Sequence, residues 1–262
     1  MDYKKLFDMT NKVCVVTGGT GYLGSQNVKI LRAFGATVVV ADICAVEERW
    51  ENASQSESDL FIQCDLSKTE SIKTCFAKIA EIYGHIDVLV NCGCYGAGYG
   101  EGSQLEFMDD DTFNKGVDGT LGVVFRGTRE VIPYMKEKGG SIINYCSMYG
   151  IVSPDLRIYG DNPQKQPPNY GAGKGGVLQL TRYAAGALAS YGIRVNSITP
   201  GPFPNPKNQD DEAFNKQLAN KTMLGRFGKD YEIAGAILLL ASDASSFMTG
   251  SNIVVDGGWT AW

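Results

Sequence analysis

Short apolar runs alternate with longer segments of helical period along nearly the whole chain. The runs are KVCVVT (12–17), ATVVVA (36–41), DLFIQC (59–64), IDVLVN (86–91), SIINYC (141–146), IRVNSI (193–198) and a last one at 252–256. Between them lie helical patterns at 25–35, 67–83, about 110–138 and 170–191, then two more near 211–220 and 229–242. Runs without polar alternation describe strands buried on both faces. Repeated strand–helix units of this length predict an α/β fold, with one parallel sheet covered by helices on both sides. In such sheets ligands sit beyond the carboxyl ends of the strands. Thr17, Asp42, Asp65, Asn91 and Ser147 all fall there. A length of 262 residues, with no linker or repeat, fits one domain, 1–262.

Composition removes several function classes. The net charge is −5 and no basic stripe runs along any segment, which argues against nucleic acid as a partner. No run is long enough to span a membrane, and MDYKKLFDMTNK has no apolar signal core. Seven cysteines, several inside apolar runs, read as free thiols in a reducing cytoplasm. Cys92 and Cys94 with a lone histidine, His85, are too few for a recognisable zinc pattern, so no metal is expected. That histidine sits in a GHID turn, which disfavours a Ser-His-Asp triad.

Two stretches carry chemistry. The first apolar run enters TGGTGYLG and then a helix. A glycine turn at a helix N-terminus lets backbone N–H groups approach a pyrophosphate. About twenty residues on, Asp42 ends the second strand, where a carboxylate can accept the ribose hydroxyls of NAD and repel the extra phosphate of NADP. No arginine follows it directly; Arg49 falls further along. NAD is therefore the expected cofactor. The second stretch, 147–174, ends in Tyr170-Gly-Ala-Gly-Lys174. On a helix these two side chains share a face, and the ammonium favours the phenolate. A phenol otherwise titrating near ~10 can then exchange a proton near neutrality. Ser147, at a strand end, can hold a substrate oxygen. Together they make a proton-transfer site for an alcohol or a ketone.

The motifs TGGTGYLG, Asp42, CDLS with Asp65, IDVLVNCG, Ser147, Tyr170-x-x-x-Lys174, ITPGPF and TGSNIVVDGG occur in this order over nearly the whole chain. In this the sequence resembles the short form of the short-chain dehydrogenase/reductase family. The resemblance implies a doubly wound Rossmann sheet and an oxidoreductase acting on CH–OH groups. It implies that Tyr170 is the acid/base, Lys174 its modulator, Ser147 the holder of the substrate oxygen, and Thr120 the counterpart of a relay asparagine. Gly18, Thr20, Tyr22, Leu23 and Gly24 would line the pyrophosphate. Asp65 and Leu66 would flank the adenine, Asn91 and Gly93 would run along the cofactor, and Pro200, Gly201 and Phe203 would touch the nicotinamide. Assembly as a homodimer or homotetramer through the two long helices is implied as well.

Four departures stand out: the T-G-x-x-G-x-x-G spacing with Tyr22, NCGC at 91–94, Thr120 itself, and an inserted proline-rich loop at about 151–168. The loop's Asp155, Arg157, Tyr159, Asn162, Gln164, Lys165 and Gln166 lean toward a sugar, polyol or sugar acid, with Arg157, Tyr95 and Tyr149 as candidate substrate contacts. Alternatives are a hydroxysteroid or 3-oxoacyl reductase of the same family, a sugar-nucleotide epimerase or dehydratase, and a non-catalytic NAD-binding protein.

Overall fold

Seven strands form the central sheet: β1 (Val13–Thr17), β2 (Thr37–Asp42), β3 (Phe61–Gln63), β4 (Val88–Asn91), β5 (Gly140–Tyr145), β6 (Ile193–Pro200) and β7 (Asn252–Val255). All neighbours are parallel, in the order β3-β2-β1-β4-β5-β6-β7. The structure is a computed structural model that describes residues 2–50, 60–96, 101–160, 165–208 and 211–262. The helices are α1 (Tyr22–Ala33), α2 (Val46–Arg49), α3 (Thr69–Tyr83), α4 (Asp110–Val117), α5 (Val123–Met135), α6 (Pro168–Leu188), α7 (Glu212–Asn220) and α8 (Ala234–Ala241).

Successive strand residues point to opposite faces, and each face has its own core. Cys14, Val16, Val38, Val40, Val88 and Val90 pack with Val28 and Leu31 of α1 and Ile237 and Leu240 of α8. Val13, Val15, Val39 and Leu89 pack with Phe76 and Ile79 of α3, Val131 of α5 and Ala184 of α6. Phe76 is fully buried, and truncating such a side chain to alanine costs about 3–5 kcal/mol. The doubly wound α/β sheet expected from the apolar runs is the one observed.

The strand order reverses between β1 and β4, where Thr17 pairs with Asn91. Two turns meet just beyond that pair. Gly18 is left-handed at φ +66°, and a Cβ on it would lie 2.5 Å from the Cα of Gly93. Only a bare backbone fits such an approach.

Three elements differ from the sequence pattern. The strand expected at 59–64 is limited to Phe61–Gln63 within the described residues. The helix expected at 110–138 is two α segments joined by a π turn, Asp118–Gly122. The helix near 229–242 opens as a 3₁₀ turn, Asp230–Ile233, because the Glu232 carboxylate accepts the Lys229 N–H (2.8 Å) and holds a tight first turn. Of the inserted loop, 151–160 and 165–168 are described; they contain the 3₁₀ turn Leu156–Tyr159 and end on Pro168, the first residue of α6. Asn162, Pro163 and Gln164 lie outside the described residues.

Candidate active site

Ser147 leaves β5 in an extended conformation and caps the 3₁₀ turn Met148–Gly150, its Oγ accepting the Tyr149 N–H (3.2 Å). Helix α6 begins after Pro167, with Pro168 at the first position, where a missing N–H costs nothing. Tyr170 and Lys174 therefore occupy its first two turns. Lys174 is buried at 4% exposure, and its Nζ donates to the Tyr145 carbonyl (2.8 Å). The same Nζ lies 5.8 Å from the centroid of the half-buried Tyr170 ring. The small residues between the pair have a packing reason. A Cβ on Gly173 would collide with the Thr120 hydroxyl, and one on Gly171 would press on the Tyr149 carbonyl.

Burial pushes the Tyr170 phenol above its ordinary value, while the Lys174 ammonium and the Ser147 hydroxyl pull it back without reversing the direction. Burial alone would lower the Lys174 value. The Tyr170 phenol and the thiols of Cys94, Cys146 and Cys92, once ionised, outweigh it, so the Lys174 value is raised in the pH range where they lose their protons. Of those thiols, Cys92 is pushed up to about 12 by burial and is neutral at physiological pH.

Thr120 is fully buried in the π turn. Its hydroxyl donates back into its own helix, to the carbonyls of Gly116 (2.7 Å) and Val117 (3.2 Å). The wide turn frees the Gly119 carbonyl, which accepts the Tyr95 N–H (3.0 Å). Tyr95 is thereby drawn to the helix. Its hydroxyl donates to Asp118, whose carboxylate also takes Nη1 (2.7 Å) and Nη2 (3.1 Å) of Arg126. Arg126 Nε donates to the Leu66 carbonyl (3.2 Å), tying the turn to the loop after β3. Neither Asp118 nor Arg126 stands out in the sequence. They lie eight residues apart, a spacing that signals no pair in an ideal helix; they meet over the bare Gly122, where a Cβ would strike Asp118 Oδ1 and lie 3.2 Å from Arg126 Nη1.

The cofactor candidates divide by what holds them. Gly18, Gly24 and Gly93 form a bare surface: a Cβ on Gly24 would strike the Gly18 carbonyl, and one on Gly93 would strike Leu66. That close-packed backbone, opening into the N-terminus of α1, fits a dinucleotide pyrophosphate. Leu23 packs against the core, and Tyr22 is half-buried beside Asp230. Asp42 Oδ2 accepts the Thr20 N–H (3.1 Å) and the Thr20 hydroxyl (2.7 Å), while Oδ1 accepts the Ile43 N–H (2.7 Å). Arg49 donates to Cys44 Sγ (3.3 Å) and feels the Asp42 charge. Asp65 accepts from Ser67 (2.6 Å) and pairs with Lys68 (3.1 Å). Asn91 is buried at 3% exposure, its amide donating to Asn144 (2.9 Å) and Thr128 (3.4 Å), and Asn144 in turn reaches Thr181 of α6 (3.0 Å). The Asn91 side chain thus joins strands to helix in the interior. Pro200 ends β6, Gly201 abuts Asp256, and Phe203 stacks over Gly228.

A cavity of about 850 Å³ opens between residues 104–106, the loop 149–156 and residues 165–168, with Gly171 beside Tyr170 at its edge. Tyr149 lines it and meets Trp259 edge-on at 6.1 Å. The structure does not bring Arg157 to this cavity. Its guanidinium is exposed and bidentate to Asp155 (2.8 Å for both bonds), because Asp155 is the nearer carboxylate. Asp155 also takes Lys221 beyond α7 (2.9 Å), and Tyr159 stacks on Phe214 (5.1 Å). Nor does Tyr95 line the cavity; it belongs to the Asp118–Arg126 network. Among the described residues no three His, Cys, Asp or Glu side chains could hold a metal, and no helix is long and apolar enough to cross a membrane.

Comparison with known proteins gives the same picture from outside. Residues 22–260 match the family described as enoyl-(acyl carrier protein) reductase. A 3-oxoacyl-[acyl-carrier-protein] reductase from Thermotoga maritima is 35% identical over 257 residues, covering 95% of this chain and 98% of its own. The trans-4-hydroxycyclohexanecarboxylate dehydrogenase of Sinomonas cyclohexanicum is 34% identical, covering 97% and 94% respectively. The solved gluconate 5-dehydrogenase of Burkholderia cenocepacia, in complex with NADP and tartrate, matches with a TM-score of 0.85 at 27% identity, covering 98% of each chain.

Proposed function

Since the chain belongs to the short-chain dehydrogenase/reductase family, we propose that this oxidoreductase interconverts a secondary hydroxy acid and its keto acid with NAD. The observation that carries the reading is the convergence of Ser147, Tyr170 and Lys174 at the carboxyl edge of the sheet, beside the bare glycine surface of the strand reversal.

Each residue has a distinct task. Ser147 Oγ accepts the Tyr149 N–H and its hydroxyl also reaches the Tyr170 phenol, so a substrate oxygen would enter between the two hydroxyls and take the serine proton. Tyr170 exchanges the proton of that oxygen, taking it in oxidation and returning it in reduction. Lys174 stabilises the phenolate at close range, anchored by the Tyr145 carbonyl with further N–H groups to spare. A bound nicotinamide would accept or return the hydride. Gly18, Gly24 and Gly93 would hold its pyrophosphate, and Asp42 its adenosine ribose, a ribose hydroxyl taking the place of the Thr20 hydroxyl on Oδ2. A carboxylate at this position favours NAD; Arg49 nearby is the feature that a 2′-phosphate would need. The acid class is supported by the relatives, which act on gluconate and on a hydroxycyclohexanecarboxylate.

The test is NADH absorbance with a panel of hydroxy acids, with NAD and NADP in parallel. Turnover with NAD that vanishes in Tyr170→Phe supports the reading. Turnover with NADP alone overturns the role of Asp42. We further propose that two or four copies assemble through α4–α5 and α6, where Phe113, Phe125 and Tyr183 are exposed. Light scattering that finds a monomer refutes this.

A further inference from the structure

Resting on the dehydrogenase reading, we infer that the substrate is a hydroxy acid with an apolar body, a ring or branched chain with a carboxylate at its far end. A polyhydroxylated sugar acid is disfavoured. The cavity approaches the Ser147–Tyr170–Lys174 set through Gly171, next to Tyr170, and through Tyr149 and Gly150, two and three residues after Ser147. Its wall beyond them is mostly hydrocarbon, Leu105, Ile151, Val152 and Leu156 with Pro154, Pro167 and Pro168, and its polar members are Gln104, Glu106, Ser153, Lys165 and Gln166. Leu105, Ile151 and Leu156 are 82%, 40% and 49% exposed, so these side chains face open space and gain from being covered.

Part of the polar set that gives the inserted loop its sugar-like look is engaged elsewhere, while Gln166 lines the cavity and Asn162 and Gln164 lie outside the described residues. Asp155, Arg157 and Lys221 satisfy one another on the outer side of the loop, and the Ser153 hydroxyl donates to the Pro154 carbonyl (3.3 Å). A sugar acid would press several hydroxyls against Ile151, Val152 and Leu156 without partners, which costs affinity at each one. One cation remains in the lining. Lys165 is half-buried and has no ion-pair partner among the described residues, while the lining carboxylate, Glu106, is exposed. A carboxylate at the far end of the substrate would pair with Lys165.

The experiment is steady-state kinetics with NAD on 4-hydroxycyclohexanecarboxylate, cyclohexanol and gluconate, for the wild type, Lys165→Met and Tyr170→Phe. The ring acid is expected to exceed gluconate in kcat/KM by roughly 100-fold or more, as an apolar pocket discriminates against added hydroxyls. Lys165→Met is expected to raise KM for the ring acid about tenfold more than for cyclohexanol, one tenfold step being what a modest ion pair supplies. Equal loss on the two ring substrates overturns the assignment of Lys165. Gluconate turned over as well as the ring acid, with loss in Tyr170→Phe, overturns the apolar body and leaves the dehydrogenase reading intact. Absence of Tyr170-dependent turnover on all three overturns both.

Discussion

The two halves of the cleft are built from different material. On the cofactor side the contact surface is backbone: Gly18, Gly24 and Gly93 approach so closely that no side chain fits. On the proposed substrate side the surface is largely side chains from an inserted loop, held in place by pairings made elsewhere, such as Asp155 with Lys221 and Tyr159 with Phe214. A backbone surface tolerates little change, because an added methyl has nowhere to go. A side-chain wall can change its chemistry one residue at a time. The first half suits an invariant ligand such as a dinucleotide, and the second suits a ligand that differs from one relative to the next.

Substitutions on either side sharpen this contrast. The largest effect belongs to the group both halves serve. Tyr170→Phe should lower kcat by about 10²–10⁴-fold, the usual contribution of a positioned acid/base, with the melting temperature little changed. Next, Gly18→Ala should destabilise the chain by about 1–3 kcal/mol through overpacking against Gly93, beyond the strain of its left-handed backbone. It should also abolish dinucleotide binding, measured by calorimetry. Retained binding would break the comparison. Arg126→Met removes the donors that join Asp118, Tyr95 and Leu66. A loss of about 1–3 kcal/mol is expected from the partners left unsatisfied, with KM for NAD rising more than KM for substrate. At the other extreme, Arg157→Ala should leave both KM values unchanged, since the guanidinium is spent on Asp155 in solvent.

The pH profile reads the junction of the two halves. The base form of Tyr170 is populated above its pKa, and burial raises that value. Alcohol oxidation should therefore climb with pH into the alkaline range while ketone reduction falls. Lys174→Met removes the ammonium that favours the phenolate and should shift the oxidation limb to still higher pH.

The same division explains what was legible in the sequence. The five inner strands announce themselves as apolar runs, since a strand buried on both faces needs no partner information to be recognised, while the half-exposed edge strands β3 and β7 are shorter and less apolar. The glycine turn and the Tyr170–Lys174 spacing are local, and each implies its geometry. The π turn was not legible, because Asp118–Gly122 reads as ordinary helix until the Gly119 carbonyl is claimed by Tyr95 from another segment. Arg157 looked like a substrate ligand because its neighbours are polar. Its actual partner, Asp155, is two residues away, while the tie that anchors the pair comes from Lys221, 66 residues further on. Asn91 lay in a recognisable motif, yet its amide works inside the sheet, a direction that only the Asn144–Thr181 chain reveals.

The strand order also sets a timetable for synthesis. β1 is the central strand of the cofactor half, but its neighbour on the reversal side is β4, so Thr17 must wait for Asn91 to be made before the two can pair. A nascent chain that stops short of this point has β1–β3 without the second wall of the crevice. The proposed dinucleotide surface, which needs Gly18 against Gly93, is likewise incomplete until Gly93 has been made. Helix α6, from Pro168 onward, is made later still, and its Ala184, Ala185 and Leu188 complete the core on one face of the sheet.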